Sequence, residues 1–598
     1  MKSCIITLLI HSDKTITLTS NRLEWRALQP DTDSFQHLFS RSFSDNTDTL
    51  AAVQPRVVSA LALQQLPTAG FPLTLIRAAE NSEYLSLFAS VLEKLDEKAS
   101  TLFGGRYLIN GHQISFEAAS AVTDNFASQG GTHYADWIEA EQLFGCVRID
   151  GDNVELQPGL VHQANGGTLV LSLRTLLAQP LLWLRLKQII TRQRFIWLSP
   201  DEARPLPFSI PSMPLQLKLV LCGERDALAD FQEMEPELAA QSIYSEFEEN
   251  LQIVDEEDFI LWCQWVTHIA GQRGLPAIEA DFWPELIREA VRYTGDQETF
   301  PLCPMWIARQ LRDAVLHGEG LNAESLSAAL EARAWRENYL AERVRDEILL
   351  EQILVDTEGE CVGQINGLSV IEFPGHPRAF GEPSRISCVV HPGDGEFTDV
   401  ERKAELGGNI HAKGMMIMQA FLIAELQLDQ QLPFSASLVF EQSYSEVDGD
   451  SASLAELCAL ISALANQPIN QQIAVTGSVD QFGNVQPVGG LNEKIEGFFH
   501  ICQQRNLTGK QGVIIPAANV RHLCLQPAVI DAVRDGLFHI WAVSQADEAL
   551  PLLTGVPWHK ENAPCLLRTI QERITQFNQQ DARHRPWPLR WLNWLNHS

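Results

Sequence analysis

The stretch SEVDGDSASLAEL, residues 445–457, sets three serines, Ser445, Ser451 and Ser453, and two aspartates, Asp448 and Asp450, directly ahead of an apolar pattern. Leu454, Leu457, Leu460, Ile461 and Leu464 share one face at a 3.6-residue period, so Ser451 sits at or just before a helix N-terminus. Oriented N–H groups and the positive end of the helix dipole would stabilise an alkoxide or an oxyanion there. A helix cap uses the same location. The pattern G-x-S-x-S alone leaves cap and nucleophile both open.

A serine nucleophile also needs a base, and the nearest histidines, His411 and His500, stand at no telling spacing. Lysine is the remaining choice. QQIAVTGSVDQFGNVQPVGG reads as a hairpin, by its alternation and its Gly-containing turn. LNEKIEGFFHICQQ then reads as a second helix opened by Gly489 and Gly490, with Lys494 in its first turn. The dipole disfavours a positive charge at that end, and desolvation would lower the pKa further from its usual value of about 10.4. A neutral amine is what a general base requires. An exposed surface lysine is the plainer reading of the position, and the residues alone leave both open.

The elements that must position these groups belong to a long chain. With 598 residues, three to four domains are expected, and 45% hydrophobic content is enough to fill their cores. The expected class is multidomain α/β and α+β. Residues 1–230 alternate buried strands (FPLTLIRA at 71–78, GGTLVLSL at 166–173, LQLKLVLCG at 215–223) with helices, the second of them interrupted at Pro180. Residues 231–350 read as a helical subdomain. Residues 351–560 begin with a period-two pattern around Gly and Asn turns and mix strands with helices. Residues 561–598 form a tail rich in Trp and Arg, read as packed on its own domain rather than on a membrane or partner.

Composition narrows the function. Lys and Arg number 44 against 76 Asp and Glu, so the formal charge is 44 − 76 = −32, and nucleic acid is a poor partner. Eleven acids and no Lys or Arg lie between Asp230 and Asp258, which reads as a solvated face. The 11 cysteines lack a C-x-x-C pair, and there is no H-E-x-x-H motif, so neither a disulfide framework nor a metal site is indicated. A reducing cytoplasm fits that usage. No stretch reads as a membrane span or a cleavable signal peptide.

VDGDSASLAELCALISAL, followed by AVTGSVDQFGNVQPVGGLNEKIEGFF, resembles the proteolytic domain of the Lon peptidases, whose Ser-Lys dyad lies in P-K-D-G-P-S-A-G and a downstream G-G-x-x-E-K. The resemblance covers roughly residues 350–545, with GQINGLSV at 363–370 near its start. It implies Ser451 as nucleophile rather than Ser443, Ser445 or Ser453. It further implies Lys494 as base, Thr476 as the hydroxyl that orients the lysine, and Asp448 as the motif aspartate. The motif departs from the family at Asp450 and Ser453, and Asp450 would favour the charged amine.

Upstream, QPRVVSALALQQLP, EQLFGCV and HQANGGTLVLSL resemble the ATPase module of Lon-type proteins. After PLTLIRA, where a phosphate-cradling G-x-x-x-x-G-K-[ST] would stand, the chain reads AENSEYL. Where an Asp-Glu pair would hold magnesium, it has Ser172 and Leu173. A G-K pair occurs at Gly509–Lys510, but Gln511 follows and the domain is wrong for an intact ATP site. The resemblance therefore implies a degenerate AAA-like scaffold with no cofactor. It also implies a Lon-type serine endopeptidase acting on unfolded or flexible proteins without ATP hydrolysis, assembled as a homohexamer. The competing expectation is a weak or inactive Lon-like scaffold that binds proteins.

Overall fold

The computed structural model describes residues 21–43, 49–66, 73–95, 104–118, 125–127, 130–151, 153–199, 205–393, 395–426, 434–443, 448–561 and 563–584, and no side chains from 577 onward. Ser445 and the RPWPLRWLNWLNHS end lie outside them. The chain divides into two compact units. One comprises Ser40–Ile278 and Pro301–Val315, the other Met1–Phe39, Glu279–Phe300 and Leu316–Ser598.

The first unit is built on five parallel strands: β1 (Leu73–Arg77), β2 (Thr132–Ala135), β3 (Thr168–Ser172), β4 (Lys218–Gly223) and β5 (Ile243–Glu246), in the order β5-β1-β4-β3-β2. The three runs read as buried parallel strands supply β1, β3 and β4. Their side chains are apolar on both faces because both faces are covered. Helix α1 (Ser82–Leu95) follows β1. Helices α2 (Leu173–Ala178) and α3 (Pro180–Arg192) are split at Pro180, which starts the second at its first position, where no N–H is missed. Helix α4 (Arg225–Met234) follows β4.

In the acidic run, Glu235 departs from the solvated reading. Its carboxylate accepts from Trp183 Nε1 at 2.9 Å and from Lys187 Nζ at 2.6 Å, tying α3 down.

The stretch with three-and-four spacing forms α5 (Glu256–Gln272), α6 (Phe282–Thr294), α7 (Pro304–His317), α8 (Ala323–Glu337) and α9 (Tyr339–Leu349). Asp255 caps α5, accepting from the Glu257 and Asp258 N–H groups. Gly295, at φ +70°, ends α6 in the left-handed conformation that glycine tolerates best.

The second unit carries a seven-stranded mixed sheet: β6 (Gln364–Ile371), β7 (Phe380–Pro392), β8 (Phe397–Asp399), β9 (Phe434–Phe440), β10 (Ile473–Val475), β11 (Gln511–Pro516) and β12 (Phe538–Val543), ordered β8-β9-β7-β6-β10-β11-β12. β6, β10, β11 and β12 pair in parallel, while β7 runs antiparallel to β6 and β9. Successive residues of β11 face opposite layers, Ile514 toward one core, Val513 and Ile515 toward the other. The first layer holds α10 (Asn409–Leu426), α11 (Ser453–Ala465) and the inner face of α13 (Leu566–His584); the second holds α12 (Leu491–Arg505).

Two expectations change here. Helix α11 was expected to bury one face, yet all its residues are buried, because the sheet, α10 and α13 surround it. Arg573 of α13 donates to the Ala463 and Leu464 carbonyls at its end. The hairpin read from residues 471–490 is shorter than expected. Its first part pairs in parallel with β6 and β11, and only Ser478–Val479 and Val485–Gln486 pair antiparallel.

Candidate active site

Helices α11 and α12 pack on opposite layers of the second sheet, and their N-terminal ends meet beyond the carboxyl end of β10. Thr476 directly follows that strand, its N–H bonded to the Ile514 carbonyl of β11 at 3.1 Å. Gly477 N–H donates to the Ser451 carbonyl at 2.8 Å, and Leu454 N–H donates back to the Gly477 carbonyl at 3.1 Å. This reciprocal pair fixes the turn before α11 against the end of β10.

Ser451 is not the cap. The N-cap is Ala452, with no side-chain cap bond. The Ser451 hydroxyl instead lies 2.9 Å from Lys494 Nζ. Lys494 Nζ also reaches Thr476 Oγ1 at 3.3 Å, and that hydroxyl donates to the Ser451 carbonyl at 3.3 Å. Thr476 has one proton to give and gives it to the carbonyl, so its oxygen accepts from the amine. When the amine is neutral, its lone pair is left to face the Ser451 O–H.

The plainer reading of Lys494 as a surface lysine fails, because it is 3% exposed and Thr476 0%. Burial lowers the Lys494 pKa to about 8, and the negative charge of Asp450 opposes that shift. The main chain makes this burial possible. Gly490 opens α12 at φ +63°, and a Cβ there would strike Val370. Gly381 of β7 and Gly497 of α12 approach so closely that a Cβ on either would meet the other's backbone or the Glu493 carbonyl.

Asp448 is not brought into this group. Its Oδ1 accepts from the Ile410 N–H at 3.3 Å and the Gly449 N–H at 2.9 Å, at the start of α10. Asp450 accepts from Ser478 Oγ at 2.9 Å. Ser453, buried, accepts from the Val479 N–H at 3.0 Å. The two departures from the family motif thus both hold the short hairpin.

Sequence reasoning missed the groups behind the site. Glu456, the one charge in SLAELCALISALA, is buried on α11 and is pushed up to about 7 by burial, with His411 opposing. His411 of α10 lies 3.2 Å from Asp399 and 3.9 Å from Glu456. Burial lowers the His411 pKa, but the ion pair with Asp399 and the charges of Glu456 and Glu401 outweigh it. A lone acid in an apolar run was the available signal. Behind α12, Arg292 of α6 grips Glu496 through two bonds, 2.7 and 3.2 Å, and Gln526 adds two more donors.

Among the described residues no cluster of three or more His, Cys, Asp or Glu could hold a metal ion, and no helix is long and apolar enough to cross a membrane.

Residues 443–554 match the family model described as the Lon protease (S16) C-terminal proteolytic domain, and residues 136–245 match the LonB-like AAA domain. A putative Lon protease homolog of Escherichia coli is 63% identical over 583 residues, 97% of this chain and 100% of that protein. One of Haemophilus influenzae is 44% identical, covering 92% and 93%. The archaeal Lon protease of Archaeoglobus fulgidus is 26% identical, covering 75% and 72%. With both modules matched in the expected order and near full-length likeness to two Lon protease homologs, this chain belongs to the Lon protease family.

Proposed function

We propose that the chain is a serine endopeptidase that hydrolyses peptide bonds in unfolded or flexible proteins with a Ser451–Lys494 dyad, and without ATP hydrolysis. The observation that carries the reading is the 2.9 Å separation of the Ser451 hydroxyl and the buried Lys494 amine. Neutral Lys494 takes the hydroxyl proton as Ser451 Oγ bonds to the peptide carbonyl carbon. Backbone N–H groups of the turn just before α11, helped by the positive end of its dipole, receive the oxyanion. The ammonium returns the proton to the leaving amine, and a water activated by the same lysine hydrolyses the acyl-enzyme. Thr476 keeps the amine aimed throughout.

At pH 7 a pKa of about 8 leaves roughly one lysine in ten neutral, so modest activity at neutrality is part of the proposal. The assembly is a homohexamer enclosing the dyads in a chamber, in a reducing cytoplasm; light scattering of purified protein gives the stoichiometry.

The test is cleavage of casein and of a short peptide with and without magnesium-ATP. Equal rates are expected, abolished by Ser451→Ala and by Lys494→Ala. Activity that survives either substitution removes the dyad. A protein that binds casein, cuts nothing at any pH and resists serine-directed reagents is the scaffold instead.

A further inference from the structure

Open parallel sheets take their ligands at the carboxyl ends of their strands, where backbone N–H groups of the following loops and helix starts bind phosphate. In the first unit those donors already have an acceptor. Glu80, three residues beyond β1, has a side chain only 6% exposed. Its Oε2 accepts from the Ser172 hydroxyl at the end of β3 (2.8 Å) and from the Arg174 N–H (2.6 Å). Its Oε1 accepts from the Glu224 N–H just beyond β4 (3.2 Å) and lies 3.9 Å from the Arg174 guanidinium. The next residue, Asn81, closes the start of α1, its Oδ1 accepting from the Glu83 and Tyr84 N–H groups at 3.1 and 3.2 Å.

The surroundings are also the wrong sign for a polyphosphate. Cys222, at the end of β4, has its thiol pushed up by burial and then by the charges of Glu80, Glu224 and Glu249. The nucleotide that an AAA module implies does not fit this edge as built. Its cradle is filled, and the nearby cation, Arg174, is already shared by Glu80 and Glu224.

We infer that the Glu80 carboxylate is a built-in anion standing in the phosphate position, tying the ends of β1, β3 and β4 together so that the unit holds its shape without nucleotide. The strands it joins are adjacent in the order β1-β4-β3, so one carboxylate does the bridging that a bound phosphate would otherwise supply. The inference stands apart from the peptidase reading, since its readouts are binding and thermal stability of this unit.

The test uses the full chain as wild type, Glu80→Gln and Glu80→Ala, followed by thermal unfolding and by binding of a fluorescent ADP analogue. Wild type is expected to bind no analogue up to millimolar concentration, and its midpoint is expected to stay put in pyrophosphate. Glu80→Gln, which keeps an acceptor oxygen but loses the charge, should unfold about 5 °C lower. Glu80→Ala should unfold lower still and be raised, saturably, by pyrophosphate or inorganic phosphate. If Glu80→Ala does not fold, pyrophosphate rescue of the Glu80→Gln midpoint decides in its place. Saturable analogue binding to wild type, an unchanged midpoint in Glu80→Gln, or a weakened variant that no anion rescues would each overturn the assignment.

Discussion

Replacing Lys494 by methionine should stabilise the proteolytic unit at neutral pH while ending its cleavage. The amine titrates near 8 when folded and at 10.5 when free. The difference of about 2.5 units, at about 1.36 kcal/mol each, means that a protonated amine opposes folding by about 3 kcal/mol. The folded state holds fewer protons than the unfolded one between those two values. The opposing contribution is therefore complete below pH 8 and fades as the pH climbs to 10.5.

Methionine keeps the volume and removes that contribution, while forfeiting the bonds to Ser451 and Thr476, worth about 1 kcal/mol each. A net gain of about 1 kcal/mol at pH 7 is expected, turning into a loss of about 2 kcal/mol by pH 10.5. Urea denaturation of wild type and Lys494→Met at pH 7 and pH 10, followed by tryptophan fluorescence, reads the sign change. Equal destabilisation at both pH values would refute the reasoning, since it would mean that the amine suffers no desolvation.

Three further outcomes are expected. Cleavage should rise with pH through one ionisation near 8, and Asp450→Asn, by removing the charge that holds the proton on, should shift that limb down. A half-unit shift would make initial rates at pH 7 about 2- to 3-fold faster. Thr476→Val should lower kcat by about 10- to 100-fold with KM little changed, because it removes the group that aims the amine but touches no substrate; steady-state peptide kinetics separate the two. Arg292→Met should destabilise the unit by about 3 kcal/mol, since it leaves the Glu496 carboxylate buried with only its Gln526 donors; chemical denaturation measures it.

Much of the fold was legible because burial leaves a periodic trace. The strands ending at Arg77, Ser172 and Gly223 read as apolar runs, and Pro180 marked a helix interruption by its own chemistry. Ser451 and Lys494 were legible as residues at two helix starts. What no local pattern carries is that α11 and α12 cover opposite faces of one sheet and meet over the end of β10.

The motif register grouped Asp448 with Ser451, but three residues of turn suffice to send its carboxylate to the start of α10 instead. The hairpin was overextended because alternation around Ala474 and Val475 suits a parallel strand as well as an antiparallel one. Arg292 and Glu496 stand 204 residues apart, and Glu80 and Ser172 stand 92 apart. Neither contact has a sequence signature, because a single polar residue against a distant partner has no period.

The most direct measurement is the rate at which an active-site-directed fluorophosphonate modifies Ser451, followed from pH 6 to 10 by mass spectrometry in wild type and Lys494→Met. A single adduct on Ser451, forming faster as the pH passes about 8 and absent from Lys494→Met, is the predicted result. Equal modification of the two proteins, or a wild-type rate indifferent to pH, would contradict a serine activated by a neutral buried lysine.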